Sequence, residues 1–256
     1  MAHQKKSPRR TWQSEARAQT PGQKTYQAIM KGQYHGLDIT FVLCYIIKVK
    51  EGGHPMERKN NYAIQSQNAK KIFLSYDQNA LAEKLGLRTD DRYLYTALLG
   101  QPYRIARKTG DLERLENGAW IDANSFDEVL TLLDLVCDSR ADRHPAGIWK
   151  NMTDFGHQFH QNLMESRDAL ADFAQEQPDA YGAALKKMGA RPLRGADIAY
   201  AIPVFDNLEM AIFFWAGDEE FPPSIRYLWD ENALQYIRYE TMYYCLGCLR
   251  SRVLGI

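Results

Sequence analysis

FFWAGDEEFPPSIRYLWDENALQYIRY (residues 213–239) sets the fold class of this chain. Its first residues close the apolar run LEMAIFFWA (208–216), which reads as a strand. Asp218, Glu219 and Glu220 then form an acidic turn, stiffened at its exit by Pro222 and Pro223. IRYLW (225–229) supplies the next strand, and Asp230 precedes a terminal helix over residues 231–254. Upstream, DIAYAIPVF (197–205) reaches the run 208–216 through Asp206 and Asn207, the two-residue link of a hairpin. The region is thus a three-strand antiparallel meander followed by a helix. Pro203 argues against a central place at that point of its strand, because it has no N–H to donate.

The same order occurs earlier. YLYTALL (93–99), PYRIARK (102–108) and LERLE (112–116) are separated by Gly100-Gln101 and Thr109-Gly110-Asp111, a second meander with one wet face. FDEVLTLLDLVCDSR (126–140) follows as a helix with a broad apolar stripe; Ser125 and Glu128 have the spacing of a capping box. Asp77 is placed to cap the helix DQNALAEKLGL, with Gly86 near its end. Residues 25–33 suggest a short helix, 37–50 a strand or strand pair, 51–60 a loop, and YAIQ and KKIFLSY (70–76) extended chain. A long amphipathic helix is expected near 157–175, and PDAYGAALKKMG forms another, with proline at its start and glycine at its end. The expected architecture is α+β: a largely antiparallel sheet of two three-strand meanders covered by helices. The two meander-then-helix arrangements follow the same order but share little residue by residue, so a structural repeat is the lesser reading.

Several of these segments together resemble a known family. IFLSYDQNALAEKLGL, DDRYLYTALLGQPYRIARKTGDLERL, FDEVLTLLDLVCDSRADRHPAGIW and AIPVFDNLEMAIFFWAGDEEFPPSIRYLWDENALQYI are similar to bacterial and archaeal proteins grouped as the DUF3786 family, over roughly residues 25–254. The most specific parts are Gly147 and Trp149, the acidic turn from Gly217 to Pro222, and Leu228 with Asp230. The resemblance implies relatives largely from anaerobes, some joined to ferredoxin-like iron–sulfur segments; this chain has no ferredoxin cysteine run. It implies a domain extent and no activity.

Charge divides the chain unevenly. Acidic and basic residues balance at 32 each, yet residues 1–24 hold Lys5, Lys6, Arg9, Arg10, Arg17 and Lys24 against Glu15 alone, +5 against −5 for the remainder. A disordered basic tail over 1–24 and a single domain over 25–256 are expected. The tail lacks the apolar run of a secretory signal, and FVLCYII and MAIFFWA are too short to span a bilayer, so a cytoplasmic location without membrane attachment is expected. There is no GxGxxG after a strand, no GxxxxGK[ST], no GxSxG and no HExxH. The abundant aromatics fall within strands and the last helix, so a nucleic-acid partner is not expected; an unknown small molecule or protein is.

Three groups of side chains could carry chemistry. Asp218, Glu219 and Glu220 are close enough to repel, which favours a bound cation or a raised pKa, and they are the catalytic candidates; the alternative is a solvated turn in which one carboxylate accepts backbone N–H groups. Trp149, Trp215, Trp229 and Tyr239 are candidates for an aromatic ligand pocket rimmed by that turn. For a metal ion, the candidate donors are Asp218 and Glu220 with His157 and His160, or Cys245 and Cys248; an iron–sulfur cluster is the lesser alternative. The CxxC pair lies late in a helix among apolar residues, where nothing lowers a thiol pKa. Three functions are open: a ligand- or cofactor-associated module, a metal-dependent hydrolase or transferase using Asp, Glu and His, and a protein-interaction or structural protein.

Overall fold

The computed structural model describes residues 55–155 and 168–255. The basic tail, the expected helix 25–33 and strand 37–50, and the first part of the helix 157–175, with His157 and His160, lie outside the described residues.

The described chain opens with α1 (Pro55–Ser75), which corrects the loop and extended segments expected there. Pro55 suits a first helical turn, since its missing N–H would have no partner anyway. The inward side of α1 carries Ala69, Lys70 and Phe73, so its stripe is partly polar and its apolar period indistinct. The branched and aromatic residues near its end imitate a strand. Lys70 is buried and donates to Asp111 Oδ1 at 2.7 Å.

Helix α2 (Gln78–Leu85) follows as expected: the Asp77 carboxylate accepts from the N–H groups of Asn79 and Ala80, and Gly86 ends the helix at φ +65°. Then come β1 (Arg88–Thr89), β2 (Tyr93–Leu98), β3 (Gln101–Ala106), β4 (Leu112–Glu116) and β5 (Ala119–Asp122), an antiparallel sheet in sequence order. Helix α3 (Phe126–Asp138) starts at the Ser125 cap. The second sheet has the order β6 (Trp149–Asn151), β10 (Ser224–Asp230), β9 (Leu208–Trp215), β8 (Ile198–Phe205), β7 (Arg191–Pro192), again antiparallel. Helices α4 (Ala169–Glu176) and α5 (Pro178–Lys187) precede β7, and α6 (Tyr239–Leu254) ends the chain.

The α+β class holds, but the sheets are two of five strands each rather than two three-strand meanders. The strands missed are β1, β5, β6 and β7, of two to four residues. So short a strand carries no alternation to read; it exists because a longer neighbour offers it a ladder. Pro203 sits where β7, which pairs only with Tyr200 and Ala201, has already ended, and a bulge lies between Pro203 and Phe205. The terminal helix is also shorter than expected: a 3-10 turn (Ala233–Gln235) comes first, and Asp230 belongs to β10.

The two halves repeat one plan: a helix, a capping glycine (Gly86 or Gly189), a two-residue edge strand beginning with arginine, a hairpin, a further strand and a helix. They also meet in reciprocal ways. Helix α3 packs on α6, and Leu99 N donates to Val204 O at 3.0 Å. The tip of the first hairpin lies on the end of α5, where a Cβ at Gly100 would collide with the Met188 carbonyl. The tip of the second is tied to the end of α2: Arg143 pairs with Asp206 at 2.8 Å and donates to Lys84 O at 3.3 Å. Fully buried Tyr103, Leu132, Leu133, Trp229, Tyr236 and Leu249 belong to one apolar core.

Candidate functional site

The acidic turn is built around Asp218. One carboxylate oxygen accepts the N–H groups of Glu220 and Phe221, both at 2.8 Å, and Asp218 N donates to Phe221 O at 2.9 Å. These backbone donors, Phe221 first, hold the Asp218 carboxyl below its usual value. Gly217 donates to Gln175 Oε1 at 2.9 Å, and a Cβ there would lie 2.6 Å from Pro223 N. Asp218 therefore shapes the turn, while Glu219 and Glu220 are exposed. Among the described residues no group of three His, Cys, Asp or Glu side chains is placed to hold a metal ion.

The four aromatic candidates are divided by the sheet register. Ser224, opposite Trp215, and Asp230, opposite Trp149, are an even number of residues apart on β10, so Trp149 and Trp215 share one face. Trp229 lies on the other face, fully buried. Tyr239 is buried at the start of α6, its hydroxyl 3.3 Å from that of Tyr243. On the first face Trp215 stacks on Phe213, with centroids 6.0 Å apart and planes at 19°, and the Arg226 guanidinium lies 5.5 Å from the Trp215 ring.

Asp230 ties its own segment to the Gly147–Trp149 segment, two of the three parts most specific to the family resemblance. It accepts from Ala146 N at 2.9 Å, Gly147 N at 2.7 Å and Asn232 N at 2.8 Å, and is itself buried. Gly147, at φ +72°, turns the chain into β6. The carboxylate is a clamp between loop and sheet.

Cys245 and Cys248 are buried free thiols on α6. Burial pushes Cys245 up to about 12 and also holds Cys248 well above the usual thiol value. Gly247 between them lets α6 approach α3, since a Cβ there would collide with the Asp127 carboxylate. Burial and the neighbouring Glu128 charge push Asp127 up to about 6. Glu128 in turn accepts from Tyr103 Oη at 2.6 Å, Ser125 Oγ at 2.7 Å and Arg114 Nη1, while Arg252 donates to Tyr103 Oη and to Leu98 O at 2.6 Å. The network fastens β2, β3 and β4 to α3 and α6. Its hydroxyl and carboxylate groups are engaged within the network, which fits a structural role.

A further constellation lies on the outward face of the first sheet. The register aligns Arg88, Tyr95, Arg104, Glu113 and Asp122 in one row across all five strands. Beside it, Ala97 pairs with Pro102 and Leu115 with Trp120. The Arg88 guanidinium lies 3.5 Å from the Tyr95 centroid; that of Arg104 is 4.1 Å from Tyr93 and 4.6 Å from Trp120. Arg104 also pairs with Glu113 at 2.5 Å. The Tyr95 hydroxyl donates to Asp90 at 2.6 Å, which raises the phenol and lowers the carboxyl. Arg88, Ala97, Pro102 and Asp122 are exposed, whereas Tyr93, Tyr95 and Trp120 are half-buried under the guanidinium groups. Strand alternation in YLYTALL and PYRIARK carried part of this signal; the contributions of β1 and β5 were hidden by their length.

The described fold is thus an α+β protein with two antiparallel five-stranded sheets, one of which presents a face of aromatic and oppositely charged side chains. The family model described as "Domain of unknown function (DUF3786)" matches residues 77–252, and the chain belongs to that family. The match begins at the Asp77 cap, well inside the extent of 25–254 expected from the resemblance, and ends two residues before α6 does. No curated protein and no solved structure matches the chain.

Proposed function

We propose that this chain is a protein-binding module whose docking surface is the outward face of the first sheet. The carrying observation is the row Arg88–Tyr95–Arg104–Glu113–Asp122 with Trp120 and Tyr93 beside it. Trp, Tyr and Arg dominate the energetics of protein interfaces, because they offer large rigid contact area together with hydrogen-bonding capacity. Stacked on rings, the guanidinium groups hold a defined direction before a partner arrives, which lowers the ordering cost of binding. The face mixes both signs of charge, as protein partners use and a polyanion does not. The proposal takes the chain as cytoplasmic; no helix among the described residues is long and apolar enough to cross a membrane, and Cys137, Cys245 and Cys248 are free thiols.

A photo-crosslinking amino acid in place of exposed Ala97 tests this in cells of the source organism. Discrete adducts identified by mass spectrometry are expected, and they disappear when Arg88→Ala and Trp120→Ala are added to the same chain. Adducts no different from those formed at exposed Lys187 overturn the proposal.

The stack of Phe213 and Trp215, on the strand that leads into the acidic turn, favours a second reading, a shelf for a flat small molecule. Its mark is a ligand that raises the melting temperature of the wild type and not of Trp215→Ala.

A further inference from the structure

We infer that the partner docking on the first sheet is a second copy of this chain, placed face to face about a twofold axis parallel to the strands. The inference rests on the docking surface proposed above and adds the identity of its occupant.

Charge complementarity carries it. Across the sheet the row reads positive at β1 and β3 (Arg88, Arg104) and negative at β4 and β5 (Glu113, Asp122). Arg104 and Glu113 already neutralise one another. That leaves Arg88, near the Asp90 carboxylate, on one flank and Asp122, which accepts from Asn124, on the other. A twofold axis along the central strand β3 exchanges β1 with β5 and β2 with β4. Arg88 then faces Asp122 of the second copy, and Asp122 faces Arg88 of the second copy, giving two equivalent ion pairs from one surface. The same operation sets small Ala97 against Leu115 of the second copy and brings the two Pro102 residues together. It also brings the two Arg104 residues towards one another, each with its charge met by Glu113 of its own chain. Large thus meets small on either side of the axis. Rotation about an axis across the strands would instead oppose Arg88 to Arg88 and Asp122 to Asp122, so the charge order selects one of the two arrangements. Aligned sheets pack with strands about 30° apart, an angle long side chains such as Arg88 can span.

The extent of the face sets the strength. Five strands about 4.8 Å apart, of two to six residues each, cover on the order of 400 Å² of flat area. That is below the roughly 800 Å² each partner contributes to a standard stable interface. The expected dimer is therefore weak and reversible.

Sedimentation velocity of the full chain from about 1 to 200 μM provides the test. A monomer–dimer equilibrium is expected. Asp122→Arg alone and Arg88→Asp alone should each weaken it at least tenfold, because each places like charges opposite one another at both symmetry-related positions. The double variant Arg88→Asp with Asp122→Arg should restore association to within about threefold of wild type, a rescue that a merely structural role for either residue does not produce. Thermal unfolding of each variant shows whether the fold is kept. Two outcomes overturn the inference: a wild type monomeric at every concentration, or a dimer unaffected by the single reversals. A monomeric protein that still gives specific adducts from position 97 with another polypeptide defeats this inference and leaves the docking surface standing. No specific adduct at all defeats both.

Discussion

Asp127→Asn should stabilise this protein at neutral pH and not at acid pH. Asp127 lies in the first turn of α3, under the α6 backbone at Gly247, with its carboxyl pushed up to about 6 by burial and by Glu128. In the unfolded chain the same group titrates at its ordinary value of 3.8. Below pH 3.8 both states hold the proton and Asp127 contributes nothing to the pH dependence. Between 3.8 and about 6 the unfolded state releases the proton while the folded state keeps it, so stability falls as pH rises. Above about 6 the full cost is present. At 1.36 kcal/mol per pH unit, the displacement from 3.8 to about 6 corresponds to about 3 kcal/mol. The amide side chain is nearly isosteric with the carboxylate and carries no charge, so the substitution removes the cost. It also forgoes the attraction of a carboxylate for a helix N-terminus, up to about 1 kcal/mol. A net gain of about 1–3 kcal/mol is expected at pH 7.5, or roughly 3–10 °C in melting temperature for a domain this size. Differential scanning calorimetry of both proteins at pH 4.0, 5.0, 6.0 and 7.5 provides the measurement. Taking the difference at each pH cancels the titration of groups that do not interact with Asp127. A constant difference across the series, or one that shrinks towards neutral pH, would falsify the account of Asp127 as a buried carboxyl ionised at a cost.

Two further substitutions examine the contacts that hold the fold. Gly247→Ala should destabilise by about 2–3 kcal/mol, since its Cβ would overlap the Asp127 carboxylate and force α3 and α6 apart; Gly247→Ala with Asp127→Ala should recover much of that loss in denaturant titrations. Asp230→Ala leaves the N–H groups of Ala146, Gly147 and Asn232 without their acceptor and should cost about 2–4 kcal/mol; an equally stable protein, with unchanged hydrogen exchange at those three amides, would refute the clamp.

Parts of this protein were legible residue by residue because the determinants are local. Asp77 and Gly86 bracket α2, Ser125 opens α3, and the hairpin turn at Asp206 falls between two apolar runs, all as the structure shows. Each depends on a few neighbouring backbone groups and on side chains able to reach them. In α1 local evidence misled: a helix whose inward side includes Lys70 has an indistinct apolar period, and only its pairing with Asp111 across 41 residues makes that burial tolerable.

The candidate sites divide along the same line. The alternative of a solvated turn described Asp218 correctly, because its acceptors and donors lie within three residues of one another. The partners of Cys245, Cys248 and Asp230 lie far away in sequence; burial against α3 keeps the thiols protonated, and a loop 83 residues upstream gives Asp230 its task. Trp149, Trp215 and Trp229 are equally aromatic in the sequence, and strand parity alone sends Trp229 inward and the other two to the opposite face. The row from Arg88 to Asp122 is the extreme case, with one residue from each of five strands and neither end strand long enough to declare itself. The sequence by itself determined the elements whose stabilising contacts are local, together with the α+β class and the family. Tertiary structure alone decided which side chains meet, because sheet register and helix packing depend on contacts that close only when distant segments pair.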